Sequence, residues 1–230
     1  LFPPLRRSAR VMGAPAGSLS SSRAVVRSGM YSLFGFFASA AYMFLIVPVA
    51  VGYLGQEQYG LWMTIAALTA YIGLADFGVS TSFVTFIARF VTTEKYDQAS
   101  RVVHLGLLFY AAVSLVLIVL TLLLYPLGFA LLRIPADQTV VARDALVLIL
   151  LTFAMTSTGS VLTNALAAVQ RMDVVNGAAT IALAVKFGAI IIALEAGWGL
   201  RGLLGADLAV TMLTIPVMVL LTRRYMPYLS

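Results

Sequence analysis

A succession of long apolar runs is the feature that most constrains how this chain can fold. The first run, from Ser28 to Leu54, contains no charged residue. About 20 apolar residues in a helix cross the roughly 30 Å hydrocarbon core of a bilayer, and these runs lack the alternation typical of barrel strands. Hydrophobic residues make up 61% of the chain and charged residues 10%, whereas soluble domains carry about 25% charged residues. The sequence therefore predicts an all-α membrane protein.

Short polar or Gly/Pro-containing connections divide the apolar part into six runs, so we expect a bundle of six transmembrane helices. The predicted spans are residues 28–54, 61–90, 102–125, 140–169, 176–194 and 203–222. Residues 1–27 are rich in Arg, Ser, Gly and Pro, which predicts a disordered basic tail. The longest loop is expected from Pro126 to Thr139.

The distribution of Lys and Arg predicts the orientation of the chain. Short loops rich in these residues stay in the cytoplasm. The tail, the second and fourth connections and the C-terminal end carry most of them, whereas the other side has Arg133, Arg143 and Arg201. We therefore expect both termini in the cytoplasm.

Two ionisable residues, Asp76 and Lys186, lie deep within predicted spans. Ionisable groups at that depth are costly and usually face a partner or a wet cavity. Lys186 is either a lumen cation that attracts an anionic substrate, or a structural lysine that pairs with Asp76 or reaches an interface. Asp76 either contacts a substrate or ion, or holds a neighbouring helix or a kink. Lys186 shares its helix face with small residues, whereas Ile181, Val185 and Ile192 lie elsewhere.

Polar side chains form a stripe along the fourth predicted span: Thr152, Thr156, Ser160, Thr163 and Asn164. Their spacing places them on one side of a helix. Such a stripe either forms hydrogen bonds to neighbouring helices or lines a wet path.

Three arginines, Arg89, Arg101 and Arg171, flank predicted spans on the cytoplasmic side. They are either interface anchors or, in particular Arg89 and Arg171, contacts for the phosphates of a lipid-linked substrate.

Several kinds of chemistry find no support in the sequence. The absence of Cys excludes thiol catalysis and thiolate metal sites, and His104 is the only histidine. We therefore predict no enzyme, no catalytic residue, no metal and no cofactor. The pattern G-x-G-x-x-G from Gly197 to Gly202 joins two spans, so we interpret it as a turn rather than a dinucleotide site. Nucleic-acid binding is not expected, because the cations lie at helix ends.

Motifs along residues 28–230 resemble bacterial polysaccharide-biosynthesis membrane proteins of the oligosaccharide flippase (Wzx-like) family. This family belongs to the multidrug/oligosaccharidyl-lipid/polysaccharide exporter superfamily. The motifs that carry the resemblance are Tyr53–Trp62, Asp76-Phe77-Gly78, Gln170–Asp173 with Asn176, Gly197–Gly202 and Tyr225-Met226-Pro227.

The resemblance implies one lobe of a two-lobe exporter, because family members have twelve to fourteen spans. It implies translocation of a lipid-linked oligosaccharide, a polyprenyl pyrophosphate sugar, across the bacterial inner membrane by alternating access. The partners would be membrane lipids and a second lobe. The substrate-binding candidates in the lumen are Lys186, Asp76, Thr156, Ser160 and Asn164. Two alternatives stay open: a cation-coupled multidrug exporter, which should carry a carboxylate in its first span, and a non-transporting scaffold. The run from Ser28 to Leu54 has no carboxylate.

Overall fold

The computed structural model describes residues 18–73, 79–132 and 134–226 of the chain. The elements in these ranges are all helices. They are α1 (Ser18–Gly73), α2 (Val79–Thr92), α3 (Tyr96–Leu131), α4 (Thr139–Ala168), α5 (Met172–Glu195) and α6 (Gly199–Tyr225). An all-helical membrane fold is confirmed for this part of the chain. By length and composition, five helices could cross a membrane, and α2 with 14 residues is shorter.

The connection predicted between the first two spans is reduced in the structure to a break at a single residue, Gly55. Its φ of 74° and ψ of 169° interrupt an otherwise helical α1, and glycine reaches such a positive φ without the steric cost that a Cβ brings. Residues 56–73 then form helix again, so the predicted second span corresponds to this segment followed by α2. Residues 74–78, and with them Asp76, lie outside the described residues. Part of the predicted disordered tail, residues 18–27, is helical, because α1 begins at Ser18. Residues 1–17 of the predicted tail lie outside the described residues.

The third helix differs from its predicted bounds. It continues through Pro126 to Leu131, so the connection to α4 is shorter than the predicted loop from Pro126 to Thr139. A proline removes one backbone hydrogen bond, and membrane helices tolerate this loss. The apolar residues after Pro126 therefore stay helical.

Contacts between connections define one end of the bundle, which we call the Gly55 end. Gln138, in the α3–α4 connection, donates a hydrogen bond to the Glu57 carboxylate just after Gly55. At the α5–α6 turn, a Cβ added to Gly199 would lie 3.5 Å from Gln58 Oε1. These contacts place Gly55 and both connections at the same end.

The opposite end, which we call the basic end, is held by a second group of buried side chains. Ile87 of α2, Val103 of α3, Ala165 of α4 and Met226 after α6 belong to one apolar cluster. Most of the described Lys and Arg residues lie near this end: Arg89, Lys95, Arg101, Arg171, Arg223 and Arg224. The geometry thus groups these cations as the sequence predicted, and the side of the membrane that they face stays a prediction.

Helix α4 is the centre of the bundle. It packs against each of the other described helices and is the most buried of the long ones. Helices α5 and α6 form a hairpin, and both α4 and α5 pack along α6. Because α4 and α5 contact each other only sparsely, a notch is left between them in front of α6.

Candidate functional site

An ion pair between Lys186 of α5 and Asp207 of α6 lies deep in the bundle. The Lys186 Nζ atom is 2.5 Å from Asp207 Oδ1, and the two side chains are 25% and 28% exposed. Lys186 is about 21 Å from the beginning of α5 and about 14 Å from its end, at 1.5 Å per residue. The partner of Lys186 is therefore another intramembrane residue, and the lysine does not extend to an interface.

Asp207 is the functional candidate that the sequence analysis missed. The signal was present, because Lys186 and Asp207 are at nearly equal distances along the chain from the turn at Gly197. In a helical hairpin, residues equally far from the turn lie at the same depth. Gly197, with φ 76°, provides that tight turn. A turn was predicted here from the G-x-G-x-x-G pattern.

Helix α1 also reaches this region through Tyr42. The Tyr42 ring packs edge-on against the ring of Phe187, with 6.1 Å between the ring centroids. Phe187 directly follows Lys186 on α5. The ion pair is therefore bordered by α1 as well as by its own two helices.

The notch between α4, α5 and α6 contains a cleft of about 300 Å³. Three predicted site residues, Lys186, Thr156 and Ser160, line it together. Asn164 and Thr152, from the same predicted stripe, are not among the lining residues. The other side chains in its wall come from all three helices: Met155, Gly159, Thr163, Ala179, Ala182, Leu183, Val210, Thr211, Thr214, Ile215 and Met218.

Most hydroxyls in the cleft wall already donate their protons to backbone carbonyls of their own helices. Ser160 donates to Ser157 O at 2.6 Å, and Thr163 donates to Ser160 O at 2.8 Å. Thr211 and Thr214 donate to the carbonyls of Asp207 and Val210 at 2.9 and 2.8 Å. A hydroxyl that donates its proton retains lone pairs that can accept hydrogen bonds. These four groups therefore present acceptors to a ligand that carries donors.

Apolar clusters lie at both ends of the cleft. Met218, in its wall, also packs with the buried Leu162 and Leu166 toward the basic end. Toward the Gly55 end, Phe187 packs on the largest core cluster, which includes Ile190 and Leu194. The cleft extends about 12 Å along α4, from Met155 to Thr163, at 1.5 Å per residue. Its polar groups are thus separated from both ends of the bundle.

An apolar groove of about 420 Å³ lies on the other side of the α5–α6 hairpin. The groove and the cleft share three wall residues, Ala182, Val210 and Thr214. Ile181 and Val185, which line the groove, are 68% and 51% exposed. The prediction that these residues point away from the face of Lys186 is confirmed, and so a polar and an apolar recess lie back to back.

The two predicted phosphate-contact residues, Arg89 and Arg171, do not line the cleft. Arg89 lies in the last turn of α2 and is exposed. Arg171 precedes α5, where its NH1 atom is 3.9 Å from Asp173 Oδ2 and its guanidinium is 4.6 Å from the Tyr225 ring centroid. Both arginines therefore belong to the basic end, separate from Lys186.

Metal ligands are not grouped in the part of the chain that the structure describes, where no three His, Asp or Glu side chains come together. A scan against protein-family models, a search of curated proteins and a search of solved structures each return no match. The resemblance based on motifs such as Tyr53–Trp62 stays a prediction, and the function of the cleft is inferred from its geometry.

Proposed function

We propose that the chain is one lobe of a transporter that moves a lipid-linked oligosaccharide across the bacterial inner membrane by alternating access. The observation that carries the proposal is the shared wall between the polar cleft of Lys186 and the apolar groove beside it. A lipid-linked sugar has the same two parts, a polar head and a hydrocarbon tail. The head would enter the cleft while the tail stays in the groove and the surrounding lipid.

The hydrogen-bonding capacity of the cleft fits a sugar. Sugar hydroxyls are donors, and the hydroxyl oxygens of Ser160, Thr163, Thr211 and Thr214 have lone pairs left to accept them. Lys186 is the cation that could contact a phosphate near the head. Arg89 and Arg171 would attract the phosphates at the basic end before the head moves inward.

The small size of the cleft supports the proposal that the chain is only one lobe of a larger transporter. Its volume of about 300 Å³ is at the lower limit for sites that bury a drug-sized ligand, roughly 300–1,000 Å³. An oligosaccharide needs more room than this. We therefore propose that a second lobe, or another copy, completes the cavity across the exposed side of Thr156.

Two alternatives make different predictions. A non-transporting scaffold has no need of an ion pair that borders an open cleft, because helices that only pack can close around it. Asp207 favours a cation-coupled multidrug exporter, since an intramembrane carboxylate can bind a cation. However, the ammonium of Lys186 already occupies this carboxylate.

Replacing Lys186 with Ala tests the proposal in cells that use this protein for polymer export. We expect export to fall by roughly tenfold or more, which corresponds to about 1.4 kcal/mol, because the head group loses its cation inside the membrane. Exported polymer and membrane-bound protein would be measured together. Lys95→Ala is the matched control, since Lys95 lies in the exposed α2–α3 connection.

Normal export in the Lys186→Ala strain, with normal protein level, would remove Lys186 from the mechanism. Normal export combined with altered sensitivity to cationic drugs would favour the multidrug exporter.

A further inference from the structure

We propose that Asp207 is a built-in competitor for Lys186, which gives up the lysine when an anionic group of the ligand enters the cleft. This inference rests on the proposed function and assigns the specificity of that site to a residue outside the cleft wall. Lys186 lines the cleft, whereas Asp207 does not. The Asp207 Oδ1 atom is shielded from solvent and lies 2.5 Å from Lys186 Nζ. Of the two charged residues, Lys186 is thus the one that borders the cleft.

The pair is open enough for an exchange of partners. The Lys186 side chain is 25% exposed and lines the cleft, so an anion in the cleft can reach it. A diphosphate carries more negative charge than a carboxylate and therefore binds an ammonium more strongly at the same distance. When the lysine turns to the ligand, the Asp207 side chain, 28% exposed, can bind water in its place.

This arrangement makes the cleft selective for ligands that carry an anionic group. A neutral sugar can use the hydroxyl acceptors, but it has no charge with which to displace Asp207. A ligand that joins a sugar to a phosphate can do both. Asp207 therefore lowers the affinity of the cleft for every anion and excludes neutral sugars from the lysine.

The composition of the chain allows a direct test, because Lys95 and Lys186 are its only lysines. In a Lys95→Arg background, biosynthetic labelling with ¹³C-lysine leaves Lys186 as the single reporter in the full chain. Inorganic pyrophosphate is titrated into the detergent-solubilised protein while the Lys186 side-chain signal is followed by NMR. We expect a saturable shift of this signal, and no shift with N-acetylglucosamine.

Asp207→Asn, made in the same background, should bind pyrophosphate about tenfold more tightly, equivalent to about 1.4 kcal/mol, because the competing charge is gone. Asp137→Asn is the matched control, since Asp137 is an exposed acid in the α3–α4 connection; its affinity should be unchanged. The exchanged pair Lys186→Asp with Asp207→Lys retains both charges but places the ammonium behind the cleft. It should keep the thermal stability of the parent protein and lose the response to pyrophosphate.

Equal pyrophosphate affinity in the parent and Asp207→Asn proteins would overturn the competitor role, as would a Lys186 signal that does not move in either. If Lys186→Ala still abolished polymer export in that case, the transport function would stand without the exchange. A normal pyrophosphate response together with normal export by Lys186→Ala would leave the exchange standing and remove the transport role.

Discussion

The Lys186–Asp207 pair shows how two charged side chains are tolerated at the depth of a membrane helix. Each charge alone would pay a large desolvation cost, which pairing offsets only in part. Lys186 Nζ and Asp207 Oδ1 are 2.5 Å apart, yet about a quarter of each side chain is exposed. The pair is therefore both a link between α5 and α6 and a polar group that a ligand can reach.

We expect Asp207→Ala to lower the free energy of unfolding by roughly 2–4 kcal/mol, because it leaves Lys186 unpaired. Breaking a fully buried pair costs about 3–5 kcal/mol, and the expected loss is smaller here because both side chains are partly exposed. The double variant Lys186→Met with Asp207→Leu should recover most of this loss, since apolar residues of similar size suit the surrounding lipid and helices. Thermal unfolding in one detergent would measure all of the variants. If the double variant is no more stable than Asp207→Ala, the loss of stability in Asp207→Ala does not come from the unpaired charge of Lys186.

Part of this site was predictable from the sequence. Lys186 was selected as a site residue by its charge in the middle of a span, and Thr156 and Ser160 were selected by their helical spacing. Both signals are readable because depth and helix face follow from the position along a helix. The partner was missed because it depends on which helices pair. Asn164 falls on the predicted stripe, yet α4 is surrounded by helices, so only part of its polar face borders the cleft.

At the scale of helices, close packing of α3 against α2 and α4 depends on Gly106. A Cβ added to Gly106 would lie 3.0 Å from Val161 Cγ1 of α4 and 3.2 Å from the Phe83 ring of α2. Small residues at such crossings let membrane helices approach closely. Gly106 thus sets the distance among three helices near the basic end.

Gly106→Leu should destabilise the protein by about 1–3 kcal/mol, as overpacking of a filled interior does. Gly128→Leu is the control on the same helix, since a Cβ at Gly128 meets nothing within 4 Å. It should leave stability unchanged or raise it slightly, because leucine is the better helix former. The two variants would be compared by thermal unfolding. Equal effects would show that α3 does not pack on α4 as closely as described.

The helical character of the chain was predictable because a continuous apolar run has few alternatives in a bilayer, whereas the predicted count of six spans is not confirmed. The ends of the helices were less predictable. The helix α3 passes Pro126 because the residues after it are still apolar, and local composition outweighs one lost hydrogen bond. The break at Gly55 depends on a single backbone conformation, which no hydrophobic pattern encodes.

At the scale of the whole molecule, the two ends differ in charge. At the Gly55 end, Asp144 is 2.8 Å from Arg201 and 3.6 Å from Arg143. At the basic end, Arg89 and Arg101 form no salt bridge with another described residue. Exposed cations such as these can interact with anionic lipid headgroups, so this end suits the cytoplasmic leaflet.

We predict that the basic end faces the cytoplasm. Because the chain has no Cys, single cysteines can be introduced at exposed positions without further changes. A membrane-impermeant maleimide applied to cells whose outer membrane is permeable to it should label Asp137→Cys. It should label Gln98→Cys only after the inner membrane is opened. The reverse pattern would invert the predicted orientation.

The central claim is that water reaches the cleft in front of Lys186 at mid-depth, while the other side of the same hairpin faces lipid. The most direct measurement compares the reaction rates of a small charged thiol reagent with Ser160→Cys in the cleft and Val185→Cys in the apolar groove. The account predicts that Ser160→Cys reacts at least about tenfold faster. If both cysteines fail to react, or if Val185→Cys reacts as fast, the cleft is not a wet path and the transport proposal is contradicted.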